Sequence, residues 1–164
     1  MAIDKDLAQN SRVLKQLPPE ALDQLDILLV RKEWPAEAVI FQEGSSGDVM
    51  YFIESGAVTI TKTVEGDVQT PLATFGQGQC FGEMSLIDNS PRSATAKTLE
   101  PSVLLSLSRD SFRNFLDKDP RGAAMFLLGV LAEVNERLRQ TDEVLRDTIY
   151  WGMRAGGHLD IAKE

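Results

Sequence analysis

The sequence has few of the side chains that bind metals or form disulfides. Its 164 residues include one cysteine, Cys80, and one histidine, His158. A single cysteine excludes a disulfide within the chain. One histidine and one cysteine cannot build a histidine-rich catalytic metal site, and no nucleophile is accompanied by a recognisable general base. We therefore expect no resident metal or cofactor and no enzyme activity.

Long apolar runs and an excess of basic residues are also missing from the sequence. No stretch approaches the roughly 20 apolar residues that cross a bilayer, and the first residues, MAIDKD, are too polar for a signal peptide. We expect a cytoplasmic protein without a membrane partner. Asp and Glu number 25 against 17 Lys and Arg, which gives a net charge of −8. Because an acidic chain without a basic cluster binds nucleic acid poorly, no nucleic-acid partner is expected.

Hydrophobic periodicity divides the chain, whose length suits a single domain, into four parts. These are helices over about 3–29, strands over about 30–107, helices over about 108–151 and a tail over 152–164. In the strand region, short alternating runs such as residues 50–53 and 57–61 are separated by turn residues about every ten positions, including a turn at 65–67. Regularly spaced short strands with glycine turns predict an all-β sandwich or barrel.

Capping signals predict where the helices begin. Pro19 suits the first turn of a helix, and Ser108 and Asp119 are good N-cap residues. Pro120 follows Asp119 at a first helical position, and its helix is expected to run to about Trp151. Apolar residues at positions 7, 13, 14 and 17 predict one short helix ahead of these.

The run FGEMSLIDNSPRSATAK, residues 81–97, contains the most informative pattern in the chain. Gly82 permits a sharp turn and a close approach of the backbone to a ligand. Residues 83–87 suffice for about one helical turn, whose first N–H groups favour a phosphate. Glu83 can accept a hydrogen bond from a ribose 2′-hydroxyl, and Arg92 can bind a phosphate through its planar fork. Ser93 and Ala94 are small, so their backbone N–H groups can reach the same anion.

This run resembles the phosphate-binding cassette of cyclic nucleotide-binding domains, and residues 41–58 are similar to the β-barrel signature of that family. The resemblance covers most of residues 20–140. It implies a mainly β fold, namely a double-sheet jelly-roll barrel with N-terminal helices and a long C-terminal helix. It implies cAMP as the ligand, with cGMP possible, and a site formed by Phe81, Gly82, Glu83, Met84, Ser85, Arg92, Ser93 and Ala94. Met84 and Ser85 depart from the family, which usually has leucine or isoleucine and alanine or glycine there.

The long C-terminal helix contains a heptad seam. Its members lie alternately four and three residues apart: Leu127, Leu131, Val134, Leu138, Thr141, Leu145 and Thr148. This spacing is typical of a parallel two-stranded coiled coil and predicts a homodimer. The alternative is a helix that packs on the barrel of its own chain.

Residues 137–143, RLRQTDE, are similar to the same helix in the catabolite activator family, where a Thr-Ser pair meets the adenine. The resemblance implies base contacts from Thr141 and from Asp142, which replaces the serine. An ionised Asp142 only accepts, so it could meet the adenine amino group or the N1 and N2 hydrogens of guanine, and the purine preference stays open. Tyr150 and Trp151 are alternative lids for the base. About a dozen residues follow Trp151, too few for the helix-turn-helix of that family, so a DNA-binding regulator is disfavoured.

Two classes of function follow from these patterns. The first is a regulatory module that binds cAMP, or alternatively cGMP, and signals through its C-terminal helix to a separate, unknown protein effector. The second is a dimeric interaction or scaffold protein whose pocket has no signalling role.

Overall fold

The computed structural model describes residues 3–65, 68–88 and 90–155. The chain divides into two compact units, one that ends at Val130 and one that begins at Leu131. The first unit contains two β-sheets and the helices around them, and the second continues the last helix. The turn predicted at 65–67 and the tail predicted over 152–164 lie mostly outside the described residues.

Within the described residues, the strands form two antiparallel sheets of four strands each. The strands are β1 Val30–Trp34, β2 Val39–Phe41, β3 Val49–Ser55, β4 Val58–Glu65, β5 Val68–Phe75, β6 Cys80–Phe81, β7 Thr95–Thr98 and β8 Ser102–Ser108. One sheet has the order β1-β8-β3-β6 and the other β2-β7-β4-β5. The predicted double-sheet jelly-roll barrel is therefore confirmed.

The core of the barrel lies between the two sheets. Its central cluster takes one buried apolar residue from each of six strands: Ile53, Val58, Phe75, Phe81, Ala96 and Leu104. Successive residues of a strand point to opposite faces, so Phe52 and Leu105 point away from this cluster. Both are nevertheless completely buried, because helices cover the outer face of their sheet.

Five α-helices lie within the described residues. They are α1 Lys5–Asn10, α2 Pro19–Asp26, α3 Met84–Ile87, α4 Arg109–Lys118 and α5 Pro120–Ala155. Two predicted N-caps are confirmed. The Ser108 hydroxyl accepts a hydrogen bond from the backbone N–H of Ser111 at 3.1 Å, and the Asp119 carboxylate accepts one from Gly122 at 2.9 Å.

The N-terminal segment differs from the prediction of one short helix over residues 7–17. Helix α1 ends at Asn10, and a 3-10 turn, Leu14–Gln16, follows it. Ser11 between them has an extended backbone, its N–H donates to the Leu7 carbonyl at 2.9 Å, and its hydroxyl accepts from the Leu14 N–H at 3.4 Å. Serine hydroxyls compete with the helical hydrogen bonds in this way, so the prediction of one helix is wrong.

Helix α4 and the first part of α5 pack on the outer face of the barrel through aromatic rings. The Phe126 ring centroid lies 6.1 Å from that of Phe52, 5.4 Å from that of Phe112 and 6.4 Å from that of Phe115. Ala123, Phe126 and Val130 are buried, and their spacing of three and four residues places them on one face of α5. In the first unit, this face covers the barrel.

The predicted heptad seam lies on other positions of α5. Leu131, Leu138 and Leu145 are 54%, 57% and 56% exposed. The helix continues to Ala155, four residues past the predicted end. The homodimer stays a prediction, and the exposed leucines are available for it. Among the described residues, no helix combines the length and the apolar character needed to cross a membrane.

Candidate functional site

The segment predicted to bind phosphate follows strand β6 and contains α3. Gly82 joins the two with a φ of +73°, a left-handed conformation that glycine adopts without strain. A Cβ at Gly82 would lie 2.8 Å from Nη1 of Arg92. Glycine is therefore required here both by the turn and by the close approach of the arginine.

Arg92 lies beneath this turn with only 7% of its surface exposed. Its Nη1 donates to the Ser85 hydroxyl at 2.6 Å and to the Gly82 carbonyl at 3.3 Å. Its Nη2 donates to the Val49 carbonyl at 2.7 Å. The guanidinium thus joins α3 to the start of β3 and is held in one orientation.

Within the described residues, no carboxylate forms an ion pair with Arg92. Its Nε is buried without a hydrogen-bond partner. Burial lowers the pKa of Arg92 below its ordinary value, while the Tyr51 hydroxyl and the carboxylates of Asp48 and Glu83 act in the opposite direction. Arginine remains protonated despite such shifts. A buried cation without a counter-charge is costly even when it is hydrogen-bonded, so the site favours an anion.

The loop before β3 closes the site from another side. A Cβ at Gly47 would lie 2.2 Å from Nε of Arg92 and 2.5 Å from its Cζ. The backbone of Arg92 is also bonded to this loop, because its N–H donates to the Ser45 carbonyl and its carbonyl accepts from the Gly44 N–H, both at 2.8 Å. Gly47 is therefore a site residue that the sequence analysis did not identify.

Three aromatic rings form an apolar wall beside the guanidinium. The Phe41 ring centroid lies 4.0 Å from Cζ of Arg92, close enough for a cation–π interaction. Tyr51 and Phe81 are paired across β3 and β6, and their rings stack at 5.2 Å. Burial raises the pKa of Tyr51, and the charge of Arg92 opposes that rise. Tyr51 is therefore neutral near pH 7, and the wall adds no anion to the site.

The other predicted residues of this segment differ in accessibility. Glu83 is the N-cap residue of α3 and is partly exposed, and its carboxylate is near enough to influence the pKa of Arg92. Met84 and Ser93 are exposed, whereas Ala94 is buried. The structure thus places Gly82, Ser85 and Arg92 in direct contact, with Glu83 beside them.

Arg109, the first residue of α4, was missed by the sequence analysis. Its Nε donates to the Ser85 carbonyl at 2.7 Å, and its Nη2 donates to the carbonyls of Ser85, Asp88 and Gly47. Its backbone N–H donates to the Asp48 carbonyl at 2.7 Å. Arg109 therefore joins both loops of the site. Its partners lie between 21 and 62 residues away from it in the sequence, so no local motif indicates its role.

The two residues predicted to meet the base lie in the second unit. Thr141 and Asp142 are exposed on α5. The Thr141 hydroxyl donates to the Arg137 carbonyl one turn earlier at 2.9 Å, which leaves its oxygen able to accept another hydrogen bond. Of the alternative lids, the rings of Tyr150 and Trp151 contact each other at 5.7 Å between centroids. No group of three or more metal-binding side chains occurs in the part of the chain that the structure describes.

Comparison with known proteins gives consistent matches. The family model described as cyclic nucleotide-binding domain matches residues 31–119. The cyclic AMP receptor protein of Thermus thermophilus is 34% identical over 134 residues, which cover 82% of this chain and 60% of that protein. This chain therefore spans less than two thirds of that relative.

Solved structures agree with the sequence matches. A cyclic nucleotide-binding domain from Methylobacillus flagellatus has a TM-score of 0.77 and 25% identity, and the match covers 86% of this chain and 83% of that one. The regulatory domain of Toxoplasma gondii PKA, solved with cAMP, has a TM-score of 0.62 and 27% identity, over 70% of this chain and 43% of that one.

Proposed function

Because this chain belongs to the cyclic nucleotide-binding domain family, we propose that it is a regulatory module that binds cAMP and signals through α5 to a separate protein partner. The relative named as a cyclic AMP receptor protein and the PKA regulatory domain solved with cAMP support this choice of ligand. The choice of purine depends on Thr141 and Asp142, and the dimer depends on the exposed leucines of α5.

The observation that supports the proposal most is the buried guanidinium of Arg92, which forms no ion pair among the described residues. Its Nε has no hydrogen-bond partner, while Nη1 and Nη2 are already fixed by Ser85 and Val49. A cyclic phosphate has one negative charge and two free oxygens, which suits the remaining donors of a planar fork. Binding would give the buried cation its missing counter-charge.

Glu83 is proposed to bind the ribose of the same ligand. It lies at the start of α3, and its carboxylate is close enough to Arg92 to act on the pKa of that side chain in the upward direction. In a 3′,5′-cyclic nucleotide the 2′-hydroxyl is adjacent to the cyclic phosphate. A carboxylate beside the phosphate-binding guanidinium can therefore accept from that hydroxyl while the guanidinium holds the phosphate.

Thr141 and Asp142 are proposed to contact the base from α5. Both are exposed polar residues of that helix, and both can accept a hydrogen bond from the amino group of adenine. The Asp142 carboxylate could instead accept from N1 and N2 of guanine, which makes cGMP the alternative ligand.

A parallel homodimer through α5 is also proposed. The supporting observation is the row of exposed leucines Leu131, Leu138 and Leu145 at seven-residue intervals. Large apolar side chains repeated at one heptad position favour a helix–helix seam. Ala123 and Phe126, the α5 residues that cover the barrel in the first unit, are not members of this row.

Titration calorimetry with cAMP, cGMP and 5′-AMP tests the proposed function. We expect saturable binding of cAMP, weaker binding of cGMP, and little binding of 5′-AMP. The phosphate of 5′-AMP is doubly charged and lacks the second ester bond, to the ribose O3′, that makes the phosphate of cAMP cyclic. Tighter binding of cGMP would favour the role of Asp142 as a guanine acceptor. If no cyclic nucleotide bound, the interaction or scaffold function would be favoured instead.

A further inference from the structure

Ser85 lies between the two arginines of the site and contacts both. Its hydroxyl accepts from Nη1 of Arg92 at 2.6 Å, and its carbonyl accepts from Nε of Arg109 at 2.7 Å. Ser85 is buried, with 4% of its surface exposed. One residue of α3 therefore joins the proposed phosphate-binding guanidinium to the first residue of α4.

Helix α3 needs an external support to hold Ser85 in place. It has four residues, and one isolated turn is far below the length at which a helix is stable in water. The last carbonyls of a helix also lack partners within it. Arg109 supplies donors to two of these carbonyls, those of Ser85 and Asp88.

Arg109 also binds the loop before β3, which contains Gly47 and Asp48. Its backbone N–H donates to the Asp48 carbonyl at 2.7 Å, and its Nη2 donates to the Gly47 carbonyl at 3.4 Å. Gly47 is the residue whose missing Cβ leaves room for the Arg92 guanidinium. Both loops that contact Arg92 are thus bonded to a single side chain, which approaches them from α4.

We propose that Arg109 is a positioning residue that holds Ser85, and that the Ser85 hydroxyl in turn holds the Arg92 guanidinium in its binding orientation before any ligand arrives. The consequence for ligand affinity rests on the proposed function; the orientation of Arg92 in the ligand-free protein does not. A guanidinium that is already fixed at Nη1 and Nη2 loses little further side-chain freedom when a ligand binds.

Nuclear magnetic resonance of the ligand-free, ¹⁵N-labelled protein tests this directly. The Nε–H signal of Arg92 is assigned by its loss in Arg92→Lys. In the wild type we expect slow exchange of this hydrogen with water and hindered rotation about the Nε–Cζ bond. Ser85→Ala removes the hydroxyl but keeps the backbone carbonyl, and Arg109→Lys weakens the support of α3. Both variants should accelerate the exchange and the rotation severalfold.

Arg113→Ala is the matched control, because Arg113 lies on the same helix but is exposed and pairs only loosely with Asp110 at 3.8 Å. It should leave the Arg92 signals unchanged. A general loss of stability would alter backbone amides throughout the barrel, whereas loss of positioning changes the Arg92 side-chain signals selectively. Unchanged Arg92 signals in Ser85→Ala or in Arg109→Lys would overturn the proposal.

Calorimetry supplies the second measurement. Immobilising one long side chain costs about 0.5–1.5 kcal/mol, so Ser85→Ala should weaken cAMP binding roughly 2- to 10-fold. Tighter binding by Ser85→Ala would show that the hydroxyl competes with the phosphate, and would contradict the positioning role. If the wild type bound no cyclic nucleotide, the proposed function would fail while the resonance experiment still decided the orientation of Arg92.

Discussion

Replacement of Arg92 by alanine is the perturbation whose effect the structure defines most fully. The side chain donates short hydrogen bonds to the Ser85 hydroxyl and the Val49 carbonyl, it lies against the Phe41 ring, and its Nε has no partner. Arg92→Ala removes these contacts and also removes the buried positive charge. Its effects on folding and on ligand binding should therefore differ strongly.

For the ligand-free protein, two contributions to the free energy of unfolding oppose each other. Each lost hydrogen bond from a charged donor costs about 1.5–3 kcal/mol, while a buried ion without a counter-charge bears a desolvation penalty of several kcal/mol that the variant avoids. We expect the free energy of unfolding of Arg92→Ala to stay within about 2 kcal/mol of the wild type, because the two contributions are of similar size.

For the complex, no such compensation exists. Truncating one partner of a buried, hydrogen-bonded charge pair typically costs about 2–5 kcal/mol, so cAMP binding should weaken roughly 30-fold or more. Arg92→Lys should recover little of this loss, because an ammonium lacks the planar fork with which the guanidinium can bind Ser85, Val49 and the phosphate at once.

Urea unfolding with and without cAMP, combined with calorimetry, measures both effects in the same samples. At a cAMP concentration near 100 times its Kd, the wild type should gain about 2.7 kcal/mol, and Arg92→Ala at that concentration less than about 1 kcal/mol. Arg113→Ala serves as the control, because Arg113 is an exposed residue of α4. Its stability and its cAMP affinity should equal those of the wild type. Near-native cAMP affinity in Arg92→Ala would refute the assignment of Arg92 to the phosphate.

Three further predictions concern the rest of the site and the helix. Gly47→Ala would place a Cβ at 2.2 Å from Nε of Arg92 and should weaken cAMP binding roughly tenfold or more. Gly76→Ala is the control, because a Cβ there has open space, and it should leave cAMP binding unchanged. Equal cAMP affinities of the two variants in calorimetry would contradict the role of Gly47. Glu83→Ala should weaken cAMP much more than 2′-deoxy-cAMP, and equal losses would mean that Glu83 does not read the 2′-hydroxyl. Leu131→Glu combined with Leu138→Glu should yield a monomer in sedimentation because like charges meet across a parallel seam. A wild type that is already monomeric at tens of micromolar would disprove the dimer.

Local sequence signals predict most elements of the fold, with one failure near the N-terminus. Short alternating runs with glycine turns predict an all-β sandwich or barrel, and capping residues such as Ser108 and Asp119 mark the starts of α4 and α5. The arrangement in two sheets was implied by the family resemblance and not by the local pattern. The failure at Ser11 has a local cause as well. Its hydroxyl accepts from the Leu14 N–H, and the apolar spacing that predicted one helix contains no information on that competition.

For the candidate site, the sequence indicates only those residues that are close together in the chain. Gly82, Glu83 and Arg92 lie within one run, and their residue types suggest the phosphate and the ribose. Gly47 and Arg109 could not be predicted, because their importance arises from contacts with residues 21 to 62 positions away. A glycine that leaves space for a side chain of another loop looks, in sequence, like any other turn glycine.

The most direct test of the central claim is a crystal structure of the protein with cAMP. We predict that a phosphate oxygen lies about 2.7–2.9 Å from Nε of Arg92, the donor that has no partner in the free protein, and that the Glu83 carboxylate accepts from the ribose 2′-hydroxyl. A bound nucleotide whose phosphate lies elsewhere, with Nε of Arg92 still without an oxygen neighbour, would contradict the claim.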